Sequence, residues 1–145
     1  LELSKNFLLS FTLLYCFFGV IYLSCTQSLA PLEIQLFKNG EGEYACYRIP
    51  AIIKTQEGTL MAFAEGRKTG CSDFGNVDIL LRMSYDDGLH WTEMEVVAEF
   101  GGLQAGNPAP VEDLFDPRFP EGRVFLFYNT GDVSEHNMRL GKGVR

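Results

Sequence analysis

Downstream of Pro31, the apolar residues fall into short runs that are separated by Gly, Asn and Asp. This part of the chain has no convincing helical period, and such a pattern is typical of an all-β protein. The predicted strands are residues 33–37, 47–54, 59–64, 77–85, 91–98, 108–114 and 123–129. Tight turns at residues 56–58 and 86–88 join neighbouring runs into antiparallel hairpins.

Evenly spaced antiparallel pairs are typical of a meander, the unit from which β-propeller blades are built. The predicted strands provide about one to two blades, which is too few to close a ring. The pattern therefore predicts an incomplete β-propeller over residues 31–145.

The first 30 residues follow a different pattern, in which Lys5 precedes a continuous apolar run over residues 7–23. A basic residue followed by an apolar core is the form of a secretory leader. The run is also close to the minimum length of a membrane span, so a retained anchor is an alternative. Leu23-Ser24-Cys25 resembles a lipoprotein signal, which would place a lipid on Cys25. Each version predicts export of the remaining chain, to the periplasm, the cell surface or the medium, with membrane contact only through the leader.

Charge and composition narrow the possible partners. The net charge of −7 argues against a nucleic-acid partner, because phosphate binding needs a basic surface. The sequence has no Cys/His cluster with the spacing of a metal site, and His90 and His136 are each isolated in the sequence. We therefore expect no metal and no cofactor.

The chain begins at Leu1 without Met and stops shortly after a predicted strand. We therefore expect it to be the N-terminal part of a longer protein.

Export would leave Cys46 and Cys71 as the cysteines of the folded part. An even pair in an oxidising compartment favours a disulfide, although two buried free thiols are the alternative. A bridge would join two segments of chemical interest, because Cys46 precedes Arg48 by two residues and Cys71 precedes Asp73 by two.

The predicted turn after the strand at residues 77–85 has the pattern of an Asp box, formed by Ser84, Asp86, Gly88 and Trp91. Ser and Asp side chains can accept hydrogen bonds from turn amides, and Gly supplies a positive φ. A structural role at the outer end of a blade is favoured over the alternative, in which Asp86 or Asp87 is a metal ligand or a catalytic acid.

The segment Tyr47-Arg48-Ile49-Pro50 places one arginine in a strand that alternation would bury. A buried arginine needs a carboxylate partner, which could belong to the protein or to a ligand. Glu65-Gly66-Arg67 and then Asp73 follow in the chain and bring further charges of both signs.

In this order and spacing, these motifs resemble the N-terminal part of an exo-α-sialidase (neuraminidase). The resemblance extends over residues 42–128 and includes Asn107-Pro108-Ala109-Pro110. It implies a six-bladed propeller whose site lies at the end opposite the Asp-box turns. It also implies a sialylated glycan as the substrate.

The resemblance implies a role for each site residue. Arg48 would hold the carboxylate of sialic acid, and Asp73 would be the general acid/base. Arg67 would lie beside O4 of the sugar, with an ion pair between blades as its alternative. Asn107 is a weaker candidate near the pocket. Glu65 could hold Arg67, and Asp78 could support the loop that carries Asp73.

The implied reaction is hydrolysis of terminal α-linked sialic acids from glycoproteins, glycolipids and oligosaccharides, with retention through a tyrosine nucleophile. That tyrosine, its glutamate and two further arginines would lie beyond Arg145, since Tyr128 and Glu135 occupy the wrong part of the chain. Residues 1–145 alone are therefore expected to be inactive. A trans-sialidase and a non-catalytic Asp-box propeller that binds glycans are the alternatives.

Overall fold

The structure is a computed structural model that describes residues 33–131 and 133–142. The predicted leader at residues 1–30, with the possible lipid site at Cys25, lies outside the described residues. The chain divides into two compact units, Leu1–Ile34 and Gln35–Arg145, and all described strands belong to the second. Within the described ranges, no helix is long and apolar enough to cross a membrane.

The described part of the chain is all-β except for one short helix. The strands are β1 (Cys46–Lys54), β2 (Leu60–Arg67), β3 (Val77–Ser84), β4 (Glu95–Ala98), β5 (Gln104–Asp113) and β6 (Arg123–Gly131), followed by α1 (Glu135–Arg139). The prediction of an all-β chain is therefore confirmed.

Antiparallel pairing joins β1 to β2, β2 to β3 and β3 to β4, which forms a four-stranded meander. A second antiparallel pair, β5 and β6, follows it. The meander and this pair meet at one parallel pair, Val77 with Gln104. The result is an open sheet that is consistent with part of a β-propeller. The number of blades and the closure of a ring stay predictions.

The predicted first strand at residues 33–37 is wrong, because these residues have no strand structure. The Phe37 ring lies 5.5 Å from the Tyr47 ring, and the Tyr47 backbone N–H donates to Asn39 Oδ1 at 2.9 Å. The segment is thus held against β1 by side chains instead of by a strand ladder.

Three further boundaries differ from the sequence prediction. Strand β5 begins at Gln104, four residues before its predicted start at residue 108, because these residues also pair with β6. Strand β2 continues to Arg67, because Glu65, Gly66 and Arg67 still pair with β1 and β3. Strand β4 begins only at Glu95. Before Glu95, a side-chain hydrogen bond joins this segment to β3: the Thr92 hydroxyl accepts from the Met83 N–H at 3.0 Å.

Helix α1 was not predicted. Its start is set by Ser134, whose side chain accepts from the Asn137 N–H at 3.3 Å. A helix of five residues is too short to produce a visible apolar period, so its N-cap is the main local signal.

One face of the meander carries both the core and the charged site. The buried cluster consists of Phe63, Ile79, Leu81, Ala98 and Ala105, the last of which comes from β5. Directly paired residues of an antiparallel ladder point to the same face. Because Arg48 pairs with Glu65 and Glu65 with Ile79, the site continues this core toward one end of the strands.

The opposite face requires a glycine at position 66. A Cβ there would lie 2.5 Å from Leu80 Cδ1 and 2.6 Å from Tyr44 Cδ1, both closer than side chains tolerate. The Tyr44 hydroxyl donates to Asp78 Oδ2 at 2.8 Å, and burial is the main cause that raises the pKa of Tyr44. Gly66 thus lets Tyr44 close over the sheet and reach Asp78.

The register of β2 and β3 places the turn that follows Ser84 far from the charged residues around Arg67. Arg67 pairs with Val77 at one end of the ladder, and Leu60 pairs with Ser84 at the other. At about 3.3 Å per residue, the two ends lie roughly 23 Å apart. The Ser84 turn and the charged residues around Arg67 therefore occupy opposite ends of the same strands.

Candidate active site

A β-bulge shapes β1 immediately after Arg48. The register shifts between Arg48 and Ala51, and Ile49 has a φ of 52°, which is rare for a β-branched residue. A matching irregularity lies in β5 between Gly106 and Ala109, where Asn107 has a φ of 54°. Backbone strain of this kind concentrates at functional sites, and both bulges border the charged cluster.

Arg48 is not buried as alternation predicted. Its side chain is 45% exposed, because β1 is an edge strand of the described sheet and has β2 as its neighbour there. Its Nη1 donates to Asp73 Oδ1 at 2.6 Å. Arg48 therefore has a carboxylate partner within the protein and a guanidinium that a ligand can reach.

Arg67 is buried, with only 4% of its side chain exposed. Its Nε and Nη2 donate to Glu65 Oε2 at 3.0 and 2.6 Å. Its Nη1 contacts the carbonyls of Cys71 and Ser72 at 2.8 and 2.7 Å and Asp73 Oδ1 at 2.9 Å. Glu65 thus fixes the guanidinium, and the guanidinium fixes the loop at residues 68–76.

These contacts bear on the role expected of Arg67. The sequence analysis placed it beside the sugar, with an ion pair as the alternative. A guanidinium whose three nitrogens all bond the protein and which is 4% exposed is arranged to position a loop. These contacts hold the loop in place, and contact of Arg67 with the sugar stays a prediction.

Glu65 links the meander to the β5–β6 pair. Its Oε2 binds Arg67, and its Oε1 accepts from the Asn107 N–H at 2.8 Å. A Cβ at position 106 would lie 2.8 Å from the same Oε1, so Gly106 allows β5 to approach. The sequence analysis assigned Glu65 to Arg67 but missed the link to β5. The glycine before Asn107-Pro108 is the one local signal for it.

Asn107 lies at this junction through both its backbone and its side chain. Its Nδ2 donates to Asn129 Oδ1 at 3.0 Å, while its N–H is held by Glu65. The structure therefore places it beside the cluster and gives it contacts that hold β5 and β6 together.

Asp73 is the most exposed member of the cluster, with 80% of its side chain accessible. One of its oxygens, Oδ1, accepts hydrogen bonds from both Arg48 and Arg67. The hydrogen bond from Arg67, followed by the charge of Arg48, holds the pKa of Asp73 below its ordinary value. In this arrangement Asp73 is a carboxylate at neutral pH.

Asp78 is buried on the other face of the sheet, where it accepts from Tyr44. Its Oδ2 also lies 3.0 Å from Lys68 Nζ, and Lys68 is the first residue of the loop. The contact holds the loop where it leaves β2.

A disulfide joins Cys46 to Cys71, with the two Cα atoms 5.3 Å apart. It connects the start of β1 to the loop, two residues before Arg48 and two before Asp73. Together with the Arg67 contacts to the Cys71 and Ser72 carbonyls, it restrains the segment that precedes Asp73.

Removing this bridge is expected to destabilise the fold. The double substitution Cys46→Ser and Cys71→Ser should lower the free energy of unfolding by about 2–4 kcal/mol, because it frees a long loop in the unfolded chain. Urea denaturation of both proteins, with and without reductant, measures the loss. Reductant should lower the stability of the wild type and leave the double variant unchanged; an equal response would contradict the bridge.

The turn at the far end of β3 is held by its own polar groups. Ser84 Oγ accepts from the Gly88 N–H at 2.9 Å, and Asp86 Oδ1 accepts from the His90 N–H at 2.9 Å. Trp91 Nε1 donates to the Gly88 carbonyl at 3.0 Å. The contacts of Asp86 are thus made within the turn, which is the geometry of a structural role.

The Asp86 carboxylate should make this turn sensitive to acid. The backbone hydrogen bond from His90 is the main cause that lowers its pKa to about 2. A lowered pKa contributes stability above the unfolded value, and this contribution is lost as the pH falls from about 4 to about 2. The thermal unfolding midpoint of the wild type should therefore be higher than that of Asp86→Asn at pH 6. This difference should vanish near pH 2. A difference that persists unchanged at pH 2 would contradict this assignment.

Comparison with known proteins gives the cluster its context. No family model matches the chain. The chain is 37% identical over 101 residues to a sialidase of Micromonospora viridifaciens, covering 66% of this chain and 15% of that protein. It is 36% identical over 96 residues to an exo-alpha-sialidase of Aspergillus fumigatus, covering 62% and 23%. It is 36% identical over 109 residues to Sialidase-2 of Cricetulus griseus, covering 71% and 27%.

The resemblance read from the motifs is thereby confirmed at the level of sequence. The chain spans between 15% and 27% of the length of these curated relatives.

Proposed function

Since the chain is related in sequence to sialidases over about two thirds of its length, we propose that it carries part of an exo-α-sialidase active site. The reaction would be hydrolysis of terminal α-linked sialic acids from glycoproteins, glycolipids and oligosaccharides. The observation that carries the proposal is the convergence of the accessible Arg48 and the exposed Asp73 beside the anchored Arg67.

Arg48 would bind the carboxylate of the sugar. Its planar guanidinium stays charged at every relevant pH and matches a carboxylate with two parallel hydrogen bonds. It lies on a strand next to a bulge and keeps 45% of its side chain accessible. Both features suit contact with an anion from solvent.

Asp73 would protonate the leaving glycosidic oxygen and then activate water. Its loop is fixed near Arg48 by the Arg67 contacts and by the disulfide, so the acid lies within reach of a sugar whose carboxylate binds Arg48. Glu65 and Arg67 would act through this loop as positioning residues.

The remaining catalytic groups would come from outside residues 33–142. They are the tyrosine nucleophile, its glutamate and two further arginines. A neutral tyrosine suits this reaction, because an anionic nucleophile would be repelled by the carboxylate on the reacting carbon. The complete fold would be a six-bladed propeller, with the Ser84 turn as an Asp box at the far end.

The proposal includes export from the cytoplasm through the segment at residues 1–30. The disulfide between Cys46 and Cys71 supports this, because such bonds persist in oxidising compartments.

The proposed function is tested by measuring which class of glycoside the protein cleaves. The full-length gene product is assayed on an aryl α-sialoside and on the matching aryl β-galactoside, with lactose added as an acceptor in a parallel series. Hydrolysis of the sialoside alone is the expected result. Transfer of the sugar to lactose would identify a trans-sialidase, and binding without turnover would identify a glycan-binding module. Cleavage of the galactoside, or neither binding nor cleavage of the sialoside, would contradict the proposal.

A further inference from the structure

We propose that Asp73 is an internal occupant of the anion site at Arg48, which a ligand carboxylate displaces, and that this exchange prepares Asp73 to take up a proton. The proposal rests on the proposed function for the nature of the ligand. It goes further by assigning a dependence of the acid on the ligand's own charge.

The two arginines that pair with Asp73 differ in how far they are exposed to solvent. Both use Oδ1, at 2.6 Å from Arg48 Nη1 and 2.9 Å from Arg67 Nη1. The Arg48 side chain is 45% exposed, whereas that of Arg67 is 4% exposed and bonded to Glu65. Solvent-exposed pairs contribute little free energy, so Arg48 is the partner that an incoming anion can remove.

The backbone keeps Asp73 in place after the exchange. Arg67 holds the carbonyls of Cys71 and Ser72, and the disulfide holds Cys71 to β1. Neither restraint involves Arg48. A ligand carboxylate on Arg48 would therefore come to lie next to Asp73.

The exchange changes the charges that face Asp73. Before it, Arg48 from β1 and Arg67 from β2 both favour the carboxylate, and Glu65 faces the other side of Arg67. Afterwards the hydrogen bond from Arg48 to Asp73 is lost, and the negative charge of the ligand offsets the positive charge of Arg48. Both changes raise the pKa of Asp73 from its lowered starting value. The proton comes from bulk solvent, because the side chain is 80% exposed.

This coupling would make the acid selective. A sugar with a carboxylate would raise the protonated fraction of Asp73, the form that can donate to a leaving oxygen. A neutral sugar leaves Arg48 on Asp73 and the acid ionised. The site would then distinguish an acidic sugar from a neutral one in the proton-transfer step as well as in binding.

The experiment follows the Asp73 carboxyl carbon by NMR in ¹³C-aspartate-labelled protein, with the signal assigned by Asp73→Asn. Its titration midpoint is measured without ligand, with N-acetylneuraminic acid, and with the methyl ester of that sugar. Arg48→Ala is measured beside Lys54→Ala. Lys54 is a matched control on the same strand, since its Nζ also lies 2.6 Å from an aspartate that is 80% exposed, Asp87.

The expected result is an upward shift of the Asp73 midpoint with the free acid and no shift with the ester. Arg48→Ala should raise the midpoint without ligand and abolish the response, and Lys54→Ala should change neither. Binding of the acid with an unmoved midpoint would overturn the exchange and leave the proposed function intact. An equal shift with the ester, or no effect of Arg48→Ala, would also overturn the exchange. No binding of the acid would count against both proposals.

Discussion

Replacing Glu65 by alanine is expected to lower the free energy of unfolding by about 3–5 kcal/mol, because it leaves the buried Arg67 guanidinium without its main partner. Glu65 is 1% exposed and binds Arg67 and the Asn107 N–H through different oxygens. The loss should therefore affect both the loop that carries Asp73 and the contact with β5. Urea denaturation measures it directly.

Two matched variants separate charge from packing. Glu65→Gln keeps an acceptor for the Asn107 N–H but removes the charge, so its loss should be smaller than that of alanine. Glu41→Ala removes a carboxylate that is 46% exposed and 3.1 Å from Arg82, and should cost about 0–1 kcal/mol. If Glu65→Ala loses as little as Glu41→Ala, the link through Glu65 does not hold the site.

Replacing Asp73 by asparagine should lower kcat for a natural sialyl linkage by about 10²–10⁴-fold in the full-length gene product. Asparagine keeps the size of the side chain but cannot donate a proton to the glycosidic oxygen. An aryl sialoside has a better leaving group that needs less protonation, so its loss should be smaller. Steady-state rates on both substrates provide the comparison.

Asp87→Asn is the control for this prediction, because Asp87 is as exposed as Asp73 and lies 2.6 Å from Lys54, the same distance that separates Asp73 from Arg48. It lies at the far turn and should leave both rates unchanged. Equal losses on the two substrates would remove Asp73 from the acid role and assign it to positioning. No loss on either would remove it from the site.

Local chemistry explains why most strands could be predicted. Turn residues such as Gly58 and Gly88, both at positive φ, mark the ends of strands without any knowledge of the rest of the fold. Alternation then placed β1, β3 and β6 within two residues of their observed bounds. Residues 33–37 were wrongly predicted as a strand, because alternation does not reveal whether a pairing partner is present.

The site was only partly predictable for a related reason. Arg67 and Asp73 are six residues apart, and their meeting follows from a short loop. The contact between Glu65 and Asn107 spans 42 residues and depends on how β5 packs over β2, which no local pattern encodes. The bulge after Arg48 was likewise not predictable, because a β-branched residue such as Ile49 gives no signal for a positive φ.

The dissociation constant of N-acetylneuraminic acid tests the central claim that Arg48 recognises a ligand carboxylate. It is measured by titration calorimetry with the full-length gene product, Arg48→Ala and Lys54→Ala. A hydrogen bond to a charged group contributes about 1.5–3 kcal/mol, so Arg48→Ala should weaken binding roughly 10- to 100-fold, and Lys54→Ala should bind as the wild type does. Wild-type affinity in Arg48→Ala would contradict the account.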